Sequence, residues 1–239
     1  MVNGIVVGCD AALEWILPWW WEHYSAHNDY PVAFADFGMS EKALTWCRQH
    51  GTLLTLPPLS FKNNVTLQKK KDWEQRLGPN VWKYRLAWFK KPLALLQSPF
   101  SQGIWLDLDC QVRGALEPLF HSLLFGADIG IVRDQNQKVN SLLPGEIHYN
   151  SGVIVFRQKA PILLQWASAI ESFCDQLVGD QDILSRVIHL TSPPLIELPD
   201  IYNWNVFLGD NDAAVIHHFC NEAGKRRILE SCYRQSFPH

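Results

Sequence analysis

The chain has 239 residues, of which 47% are hydrophobic and 19% are charged, and its formal net charge at pH 7 is −3. This length and composition predict a soluble globular protein, and we expect a single domain over residues 1–239. The small negative charge excludes a global basic field that would recruit nucleic acid or an anionic membrane surface. Any phosphate-bearing ligand would therefore have to be held by local charges or by a metal ion.

The six cysteines are scattered, and none of them forms a Cys-x-x-Cys pair. This argues against a zinc ribbon and against a dense disulfide framework, so reduced thiols are expected. The sequence opens without a basic segment, an apolar run and a small-residue cleavage site, and no stretch reaches the roughly 18 apolar residues that cross a bilayer. We therefore expect a cytoplasmic protein without a transmembrane segment.

Apolar runs and helical spacings alternate over the first hundred residues. Strands are predicted at residues 5–7, 31–37 and 52–56, and helices at residues 13–24, 41–50 and 82–97. Pro18 either begins the first helix or kinks it, and Ser40 and Gly51 are typical of the two ends of the second. Residues 57–80, with three lysines at 69–71, are less regular and are expected to form a loop or a solvated helix face. The alternation predicts a largely parallel sheet with crossover helices.

In the second half of the chain, strands are predicted at residues 128–132 and 150–157, and helices at residues 162–174 and 182–188. Proline-containing, strand-like pieces follow them. The sequence contains no internal repeat, low-complexity segment or interdomain linker. Together these elements predict an α/β fold in which helices flank a mostly parallel central sheet.

Two aspartates, Asp107 and Asp109, follow the apolar run of residues 103–106. Residues i and i+2 of a strand share one face, so the two carboxylates are expected to point the same way. Two anions so close together repel each other unless one takes a proton or a cation lies between them. Oxygen ligands of this kind suit Mg²⁺ or Mn²⁺ beside a nucleotide. The alternative is a strand end that exposes two acids to solvent.

Acidic residues also follow two other predicted strands. Asp10 comes after the first strand, and Asp36 lies at the end of the second. In open α/β sheets, ligands bind beyond the carboxyl ends of the strands, so these acids are candidate ligand contacts together with Asp107 and Asp109. Each of them could instead cap only the helix that follows it.

Several short motifs occur in order along most of the chain. They are Tyr-Arg-Leu at residues 84–86, an apolar-Asp-x-Asp strand at 104–112, Tyr-Asn-Ser-Gly-Val at 149–153, Asp-Gln-Asp-Ile-Leu at 180–184, Tyr-Asn-Trp at 202–204 and Ile-His-His-Phe at 216–219. Together they resemble motifs of the retaining nucleotide-sugar glycosyltransferases of the glycogenin and bacterial lipopolysaccharide galactosyltransferase type, family eight. The resemblance implies the GT-A fold, which has a mostly parallel central sheet flanked by helices.

The chain departs from the pattern of this family after His218. The family has a glycine three residues after the histidine, a lysine three residues further on and then a Pro-Trp pair. Here Gly224 comes late, Lys225 lies seven residues after His218, and Arg226 and Arg227 replace the Pro-Trp pair. This departure affects the last metal ligand and the phosphate-binding lysine.

The resemblance implies a metal site made of Asp107, Asp109 and His218. The adjacent His217 is the alternative to His218, and Asp107 could instead hydrogen-bond the ribose or the donor sugar. A histidine ligand favours Mn²⁺ over Mg²⁺. The cation would stabilise the negative charge that grows on the leaving diphosphate as the sugar is transferred.

The resemblance also assigns residues to a nucleotide-sugar donor. Asp180 would bind a hydroxyl of the donor sugar, Gln181 would lie near the reacting face of the anomeric carbon, and Arg85 would assist departure of the diphosphate. Further donor contacts are expected from Asp10, Asp36, Asp107, Asn150, Asp182 and Lys225. The implied reaction transfers a sugar from a uridine-based nucleoside diphosphate to a glycan, lipid or protein acceptor, with retention of the anomeric configuration.

Three other functions fit parts of the pattern. A non-catalytic sugar-nucleotide or glycan-binding module would keep the fold and lose turnover, and the altered segment after His218 favours it. A haloacid dehalogenase phosphatase also uses Asp-x-Asp, but usually near the amino terminus and with Thr or Val two residues past the second acid, whereas Val112 lies three past Asp109. A nucleotidyltransferase would need a glycine-rich basic loop where residues 11–14 are Ala-Ala-Leu-Glu.

Overall fold

The computed structural model describes residues 2–59, 64–123, 126–135 and 143–236. Its strands β1 to β10 are, in chain order, Asn3–Cys9, Val32–Asp36, Thr52–Thr55, Gln102–Leu106, Cys110–Val112, Ile129–Arg133, Tyr149–Arg157, Leu195–Glu197, Trp204–Asn205 and Ile216–His218. Its helices α1 to α9 are Leu17–Ser25, Glu41–His50, Leu67–Leu77, Val81–Trp88, Lys91–Leu96, Glu117–Ser122, Pro161–Phe173, Asp180–Thr191 and Asn221–Ser236. None of these described helices has the length and apolar character that spanning a bilayer requires.

Seven of the described strands form one sheet in the order β3-β2-β1-β4-β7-β6-β8. Neighbouring strands run parallel except at β7, which runs antiparallel to both β4 and β6. The strand order reverses at β1, because β2 and β3 lie on one side of it and β4 lies on the other. Such switch points open a crevice at the carboxyl ends of the strands, where α/β sheets bind ligands. The predicted α/β fold with a mostly parallel central sheet is confirmed.

Helices cover both faces of this sheet. Ile5 and Ile104 belong to one apolar core, and their strand neighbours Val6 and Trp105 belong to a second core on the opposite face. Helices α1, α2 and α6 pack into the first core, and α5, α7 and α8 pack into the second. Successive side chains of a strand point to opposite faces, so burial on both faces explains the continuous apolar runs of β1 and β4.

The other described strands form a small sheet in the order β5-β10-β9. Strand β10 runs antiparallel to β5 and parallel to β9, so His218 is paired with Cys110 on one side and with Asn205 on the other. Since β5 begins just after β4, this small sheet brings the last part of the chain to the carboxyl end of a central strand.

Two predicted helical regions differ in the structure. The helix expected over residues 82–97 is divided into α4 and α5, because Pro92 lies in the first turn of α5, where its missing N–H costs no hydrogen bond. The irregular residues 57–80 contain α3, which Thr66 caps by accepting the N–H of Lys69 at 3.4 Å. Trp73 is the one buried residue of α3, so the sequence of this helix shows almost none of the apolar periodicity from which a helix is predicted.

Two further predictions are decided by where the chain turns. Helix α1 begins at Leu17 with Pro18 in its first turn, so the proline begins this helix and does not kink it. Strand β4 ends at Leu106, and the N–H of Cys110 donates to the carbonyl of Asp107 at 3.0 Å, which closes a turn before β5. The two aspartates therefore lie in a turn, and the expectation that a shared strand face aligns them was wrong.

Candidate active site

Polar side chains from several segments meet beside the carboxyl end of β4. They are Lys91 of α5, Asp107 and Asp109 of the β4–β5 turn, Asn150 and Ser151 of β7, Asp180 of α8, Asn203 before β9, His218 of β10 and Lys225 of α9. The sheet thus brings together residues from both halves of the chain. Asp107, Asp109, Asn150, Asp180, His218 and Lys225 were expected at the site from the sequence.

Asp107 and Asp109 each place a carboxylate oxygen near the same ring nitrogen of His218. The Nε2 atom of His218 lies 3.3 Å from Oδ1 of Asp109 and 3.9 Å from Oδ2 of Asp107. Asp109 and His218 are buried, whereas the carboxylate of Asp107 is partly exposed. Two carboxylates and an imidazole nitrogen, reachable from solvent on one side, suit Mn²⁺ or Mg²⁺ and leave coordination positions for a ligand.

The amide of Asn203 fixes the tautomer of His218. The N–H of Gly152 donates to Oδ1 of Asn150 at 2.9 Å, so Asn203 must present its NH₂ group to that same oxygen, also at 2.9 Å. The Oδ1 atom of Asn203 then accepts the N–H of Nδ1 of His218 at 2.9 Å. With Nδ1 fixed as the donor, Nε2 can offer its lone pair to a cation that lies between the ring and the acids, which is how metal-binding histidines are held.

Gly152 makes room for the ring of His218. A Cβ atom at this position would lie 2.3 Å from Cε1 and 2.6 Å from Nδ1 of the ring. A side chain on residue 152 would therefore displace His218 and disturb its hydrogen bond to Asn203. The glycine in this strand marks a place where another element approaches the backbone closely.

Cys110 is a further candidate ligand, because its sulfur lies within 4.8 Å of the ligand atoms of Asp109 and His218. Its thiol donates to the carbonyl of Gly152 at 3.7 Å, and burial raises the pKa of this thiol well above its ordinary value. Metals bind the thiolate and not the thiol, and hard cations prefer oxygen. The donor chemistry therefore favours the two aspartates over Cys110.

Lys225 reaches the site from the start of α9. Its Nζ atom lies 2.9 Å from Oδ2 of Asp109. Burial would raise the pKa of Asp109, but Lys225 and His218 together hold it well below its usual range. Gly224 permits this approach, because a Cβ atom there would lie 2.0 Å from the carbonyl oxygen of Phe219. The helix thus accommodates the irregular spacing after His218, and the lysine lies beside the metal ligands.

Lys91 was not predicted from the sequence. Its buried Nζ atom lies 2.9 Å from Oδ1 of Asp107 and 3.0 Å from Oδ2 of Asp180, and it donates to the hydroxyl of Ser151 at 3.0 Å. Burial lowers the pKa of Lys91, but the two carboxylates raise it by more, so the lysine stays charged. The ammonium group of Lys91 therefore links Asp107, which follows β4, to Asp180, which begins α8. The sequence feature that could have identified Lys91 is its position directly before Pro92, in the otherwise apolar first turn of α5.

Arg85 does not reach the site, which contradicts its predicted role at the diphosphate. Its buried guanidinium donates to the carbonyl of Val178 at 2.8 Å and to the carbonyl of Cys174. The guanidinium also lies over the rings of Trp73, Trp82 and Phe89. Burial lowers the pKa of Arg85 to about 10. These contacts join α4 to the segment between α7 and α8, so the residue stabilises the scaffold.

Asp182 also points away from the metal ligands, although it belongs to the same motif as Asp180. Its Oδ2 atom accepts the N–H of Gly179 at 2.8 Å, and its Oδ1 atom lies 3.0 Å from Nε2 of His148. Both carboxylate oxygens are thus bonded within the protein, which contradicts the predicted role of Asp182 as a donor contact. Gln181, the residue between the two acids, donates from Nε2 to Oδ2 of Asp134 at 3.1 Å.

Asp10 directly follows β1, and Asp36 is the last residue of β2, at the same edge of the sheet. Asp10 accepts the N–H of Ala12 at 2.9 Å, and Asp36 accepts the N–H of Gly38 at 2.8 Å. Each acid therefore caps the turn that follows it. The two acids also line neighbouring concavities that share Lys90, so a ligand contact and a capping role are compatible here.

His217 and His218 face different surroundings. Adjacent residues of a strand point to opposite sides. The Nε2 atom of His217 lies 3.1 Å from the carbonyl oxygen of Asn211 and 3.0 Å from Nη1 of Arg113. Of these two histidines, it is His218 whose ring faces the aspartates of the β4–β5 turn.

Solved structures share the arrangement of this chain. The galactosyltransferase LgtC, solved in complex with donor and acceptor sugar analogs, superposes with a TM-score of 0.62 at 17% identity, over 100% of this chain and 97% of that chain. The chain has the GT-A fold. The glycosyltransferase GlyE of Streptococcus pneumoniae TIGR4 gives a TM-score of 0.63 at 15% identity, over 99% of this chain and 64% of its own. Mouse xyloside xylosyltransferase 1 gives 0.52 at 17% identity, over 91% of this chain and 98% of its own.

These GT-A neighbours are all glycosyltransferases, but their low sequence identity to this chain establishes the fold alone. No protein-family model and no curated protein matches the sequence. The chain also spans only 64% of the length of GlyE. Its function therefore has to be inferred from its own residues within the GT-A fold.

Proposed function

We propose that the chain is a glycosyltransferase that moves a sugar from a UDP-sugar to a glycan, lipid or protein acceptor, with Mn²⁺ or Mg²⁺ and with retention of the anomeric configuration. One observation carries this proposal. Asp107, Asp109 and His218 converge beside β4 of a GT-A fold, with Nζ of Lys225 2.9 Å from Asp109. Acids, an oriented histidine and a lysine at a sheet switch point suit a nucleoside diphosphate with a divalent cation.

The residues present fit a divalent cation. Asp107, Asp109 and His218 would hold it, and it would supply Lewis-acid stabilisation of the charge that develops on the leaving diphosphate. The pKa of Asp109 lies below its usual range, so this ligand is ionised at neutral pH, as metal binding requires. Lys225 would provide a fixed positive charge for the same diphosphate.

The donor sugar would be held by Asp180 and Asn150. Oδ2 of Asp180 is bonded to Lys91 and, at 2.8 Å, to the hydroxyl of Ser151, so a sugar hydroxyl would bind through Oδ1. Oδ1 of Asn150 accepts two hydrogen bonds within the protein, so its NH₂ group would donate to the sugar. Each residue thus has one atom fixed by the scaffold and another to offer to the ligand.

Gln181 would lie beside the anomeric carbon, since it follows Asp180 on α8. An uncharged amide is a poor nucleophile, so a residue of this type favours a short-lived ion pair over a covalent glycosyl-enzyme intermediate. Retention would then require the acceptor to attack from the face that the diphosphate leaves.

The uridine would occupy the concavities at the carboxyl ends of β1 and β2. Asp36 lines one of them, Asp10 lines the other, and Lys90 lines both. Carboxylates at the ends of neighbouring strands can accept the hydroxyl groups of a ribose and the N–H of a uracil.

The test is an incubation of the protein with a panel of nucleotide sugars, with Mn²⁺ and with Mn²⁺ replaced by a chelator. Release of nucleoside diphosphate and the midpoint of thermal unfolding are measured. At least one uridine-based donor is expected to raise the midpoint and to release UDP only with the metal. Donor binding without release across a range of acceptors would support the non-catalytic module instead. Neither binding nor release for any donor would refute both functions.

A further inference from the structure

A second cluster of buried charged groups lies at the start of α8. His148, which precedes β7, lies between Asp134 and Asp182. Its Nδ1 atom is 3.1 Å from Oδ2 of Asp134, and its Nε2 atom is 3.0 Å from Oδ1 of Asp182. The histidine is 3% exposed, and both aspartates are buried. The metal and donor contacts proposed above use none of these three groups.

Both ring nitrogens of His148 face carboxylate oxygens, so both nitrogens have to donate. A neutral imidazole has one N–H and one lone pair, and it would set that lone pair against a carboxylate. Burial lowers the pKa of His148, but the hydrogen bonds with Asp134 and Asp182 raise it by more, to about 9. The ring is therefore an imidazolium at neutral pH and holds the two carboxylates in place.

The oxygen of Asp134 that His148 contacts also fixes the side chain of Gln181. The Nε2 atom of Gln181 lies 3.1 Å from this Oδ2. An ionised carboxylate only accepts hydrogen bonds, so Gln181 must present its NH₂ group to Asp134 and its Oε1 atom in the other direction. Because the imidazolium of His148 favours the ionised form of Asp134, it favours the orientation in which the amide of Gln181 donates to Asp134.

We propose that His148 is a positioning residue that holds, through Asp134, the amide of Gln181 with its carbonyl oxygen toward the donor sugar. This inference rests on the proposed function, in which Gln181 lies beside the anomeric carbon. As the bond from that carbon to the diphosphate breaks, the carbon becomes positive and the electron pair leaves with the phosphate oxygen. A carbonyl oxygen stabilises this charge, whereas the reversed amide would turn N–H donors toward it.

Loss of the imidazolium is expected to release the amide. In His148→Phe, Asp134 and Asp182 would lose the cation between them, and Asp134 would take up a proton more readily. A protonated Asp134 offers an O–H donor, and Gln181 can then turn its amide over. We expect kcat to fall by about 10- to 100-fold, since small displacements of reacting groups have effects of this size. The KM for the donor and the Mn²⁺ requirement should not change.

The test is a double-mutant cycle between His148 and Gln181. kcat and KM are measured for His148→Phe, Gln181→Ala and the double variant, with Val187→Ala as a control that removes buried methyl groups from the same helix. If His148 acts through Gln181, the double variant loses no more activity than Gln181→Ala alone. Losses that multiply, or a His148→Phe variant with the kcat of Val187→Ala, would overturn the proposal.

A measurement that does not depend on activity distinguishes this proposal from the transfer function. The NMR signal of the Gln181 side-chain NH₂ group, assigned by its absence in Gln181→Ala, is expected to shift in His148→Gln. If His148→Phe does not fold, His148→Gln takes its place, because glutamine retains a hydrogen-bond donor at this position. In the wild type, both ring nitrogens of His148 should carry protons at pH 7. A protein with these signals but no transfer would refute only the transfer function, whereas a neutral His148 or an unmoved Gln181 signal would overturn the positioning role.

Discussion

The Nε2 atom of His218 lies 3.3 Å from Oδ1 of Asp109, although the two residues belong to opposite halves of the chain. The small sheet creates this contact, because β10 pairs directly with β5, which follows the Asp109 turn. Asn203 orients the histidine, and the missing side chain of Gly152 leaves space for it. Metal affinity should therefore depend on residues that do not touch the metal.

Gly152→Ala is expected to weaken Mn²⁺ binding by about 10- to 100-fold, the effect typical of disturbed support around a metal ligand. The new Cβ atom would meet Cε1 of His218 at 2.3 Å and turn the ring away from the acids. Calorimetric titration with Mn²⁺ measures this loss. Gly114→Ala is the matched control, because its Cβ atom would lie 3.4 Å from Val215, an ordinary contact. Equal affinities in the two variants would contradict the account.

Lys91→Met is expected to lower the free energy of unfolding by about 3–5 kcal/mol, the usual effect of removing one partner from a buried ion pair. Asp107 and Asp180 would lose the cation that lies 2.9 Å and 3.0 Å from them. Urea unfolding compares this variant with Lys42→Met, which removes an exposed lysine from α2. If the two variants unfolded at the same urea concentration, the inferred role of Lys91 would be wrong.

Stability should depend on pH through His148. Its pKa is raised from 6.5 to about 9 in the folded protein, so the folded state binds this proton more tightly than the unfolded state. The resulting stabilisation, on the order of 3 kcal/mol, is fully present below pH 6.5 and is lost as the pH rises through 9. Urea unfolding between pH 6 and pH 10 measures the slope. His148→Gln should flatten it, and an unchanged slope in that variant would assign the effect to other groups.

Arg85→Met is expected to reduce stability without changing the affinity for UDP. The guanidinium donates to buried backbone carbonyls, and each carbonyl left without a partner costs about 1–3 kcal/mol. Thermal unfolding and UDP titration with Mn²⁺ separate the two effects. A large loss of UDP affinity in a variant that remains folded would restore Arg85 to the diphosphate site.

The sheet and its acidic edge could be predicted from the sequence, because both depend on local patterns. Short apolar runs predict β1, β2 and β4. Asp10 and Asp107 directly follow β1 and β4, and Asp36 is the last residue of β2. Lys91 could not be predicted in the same way. Its contacts with Asp107 and Asp180 form only where α5, the β4–β5 turn and α8 meet, and no spacing within the sequence records that meeting.

Arg85 and Asp182 were predicted at the site from motifs, and the structure places their side chains elsewhere. Both match a motif by residue type and position, yet their side chains bond within the protein. The choice between His217 and His218 has the same origin. In the three-residue strand β10 either histidine could face the acids, and only its pairing with β5 decides between them. A motif gives the residue type, whereas packing decides the direction of the side chain.

The most direct test of the metal site is the affinity for UDP, with and without Mn²⁺, in the wild type, in Asp109→Asn and in Asp72→Asn. Asp72 is an exposed acid of α3 and serves as the matched control. We predict that Mn²⁺ strengthens UDP binding in the wild type and in Asp72→Asn, and that this metal-dependent gain falls by at least about 10-fold in Asp109→Asn while the variant remains folded. The same Mn²⁺-dependent affinity in all three proteins would contradict the site.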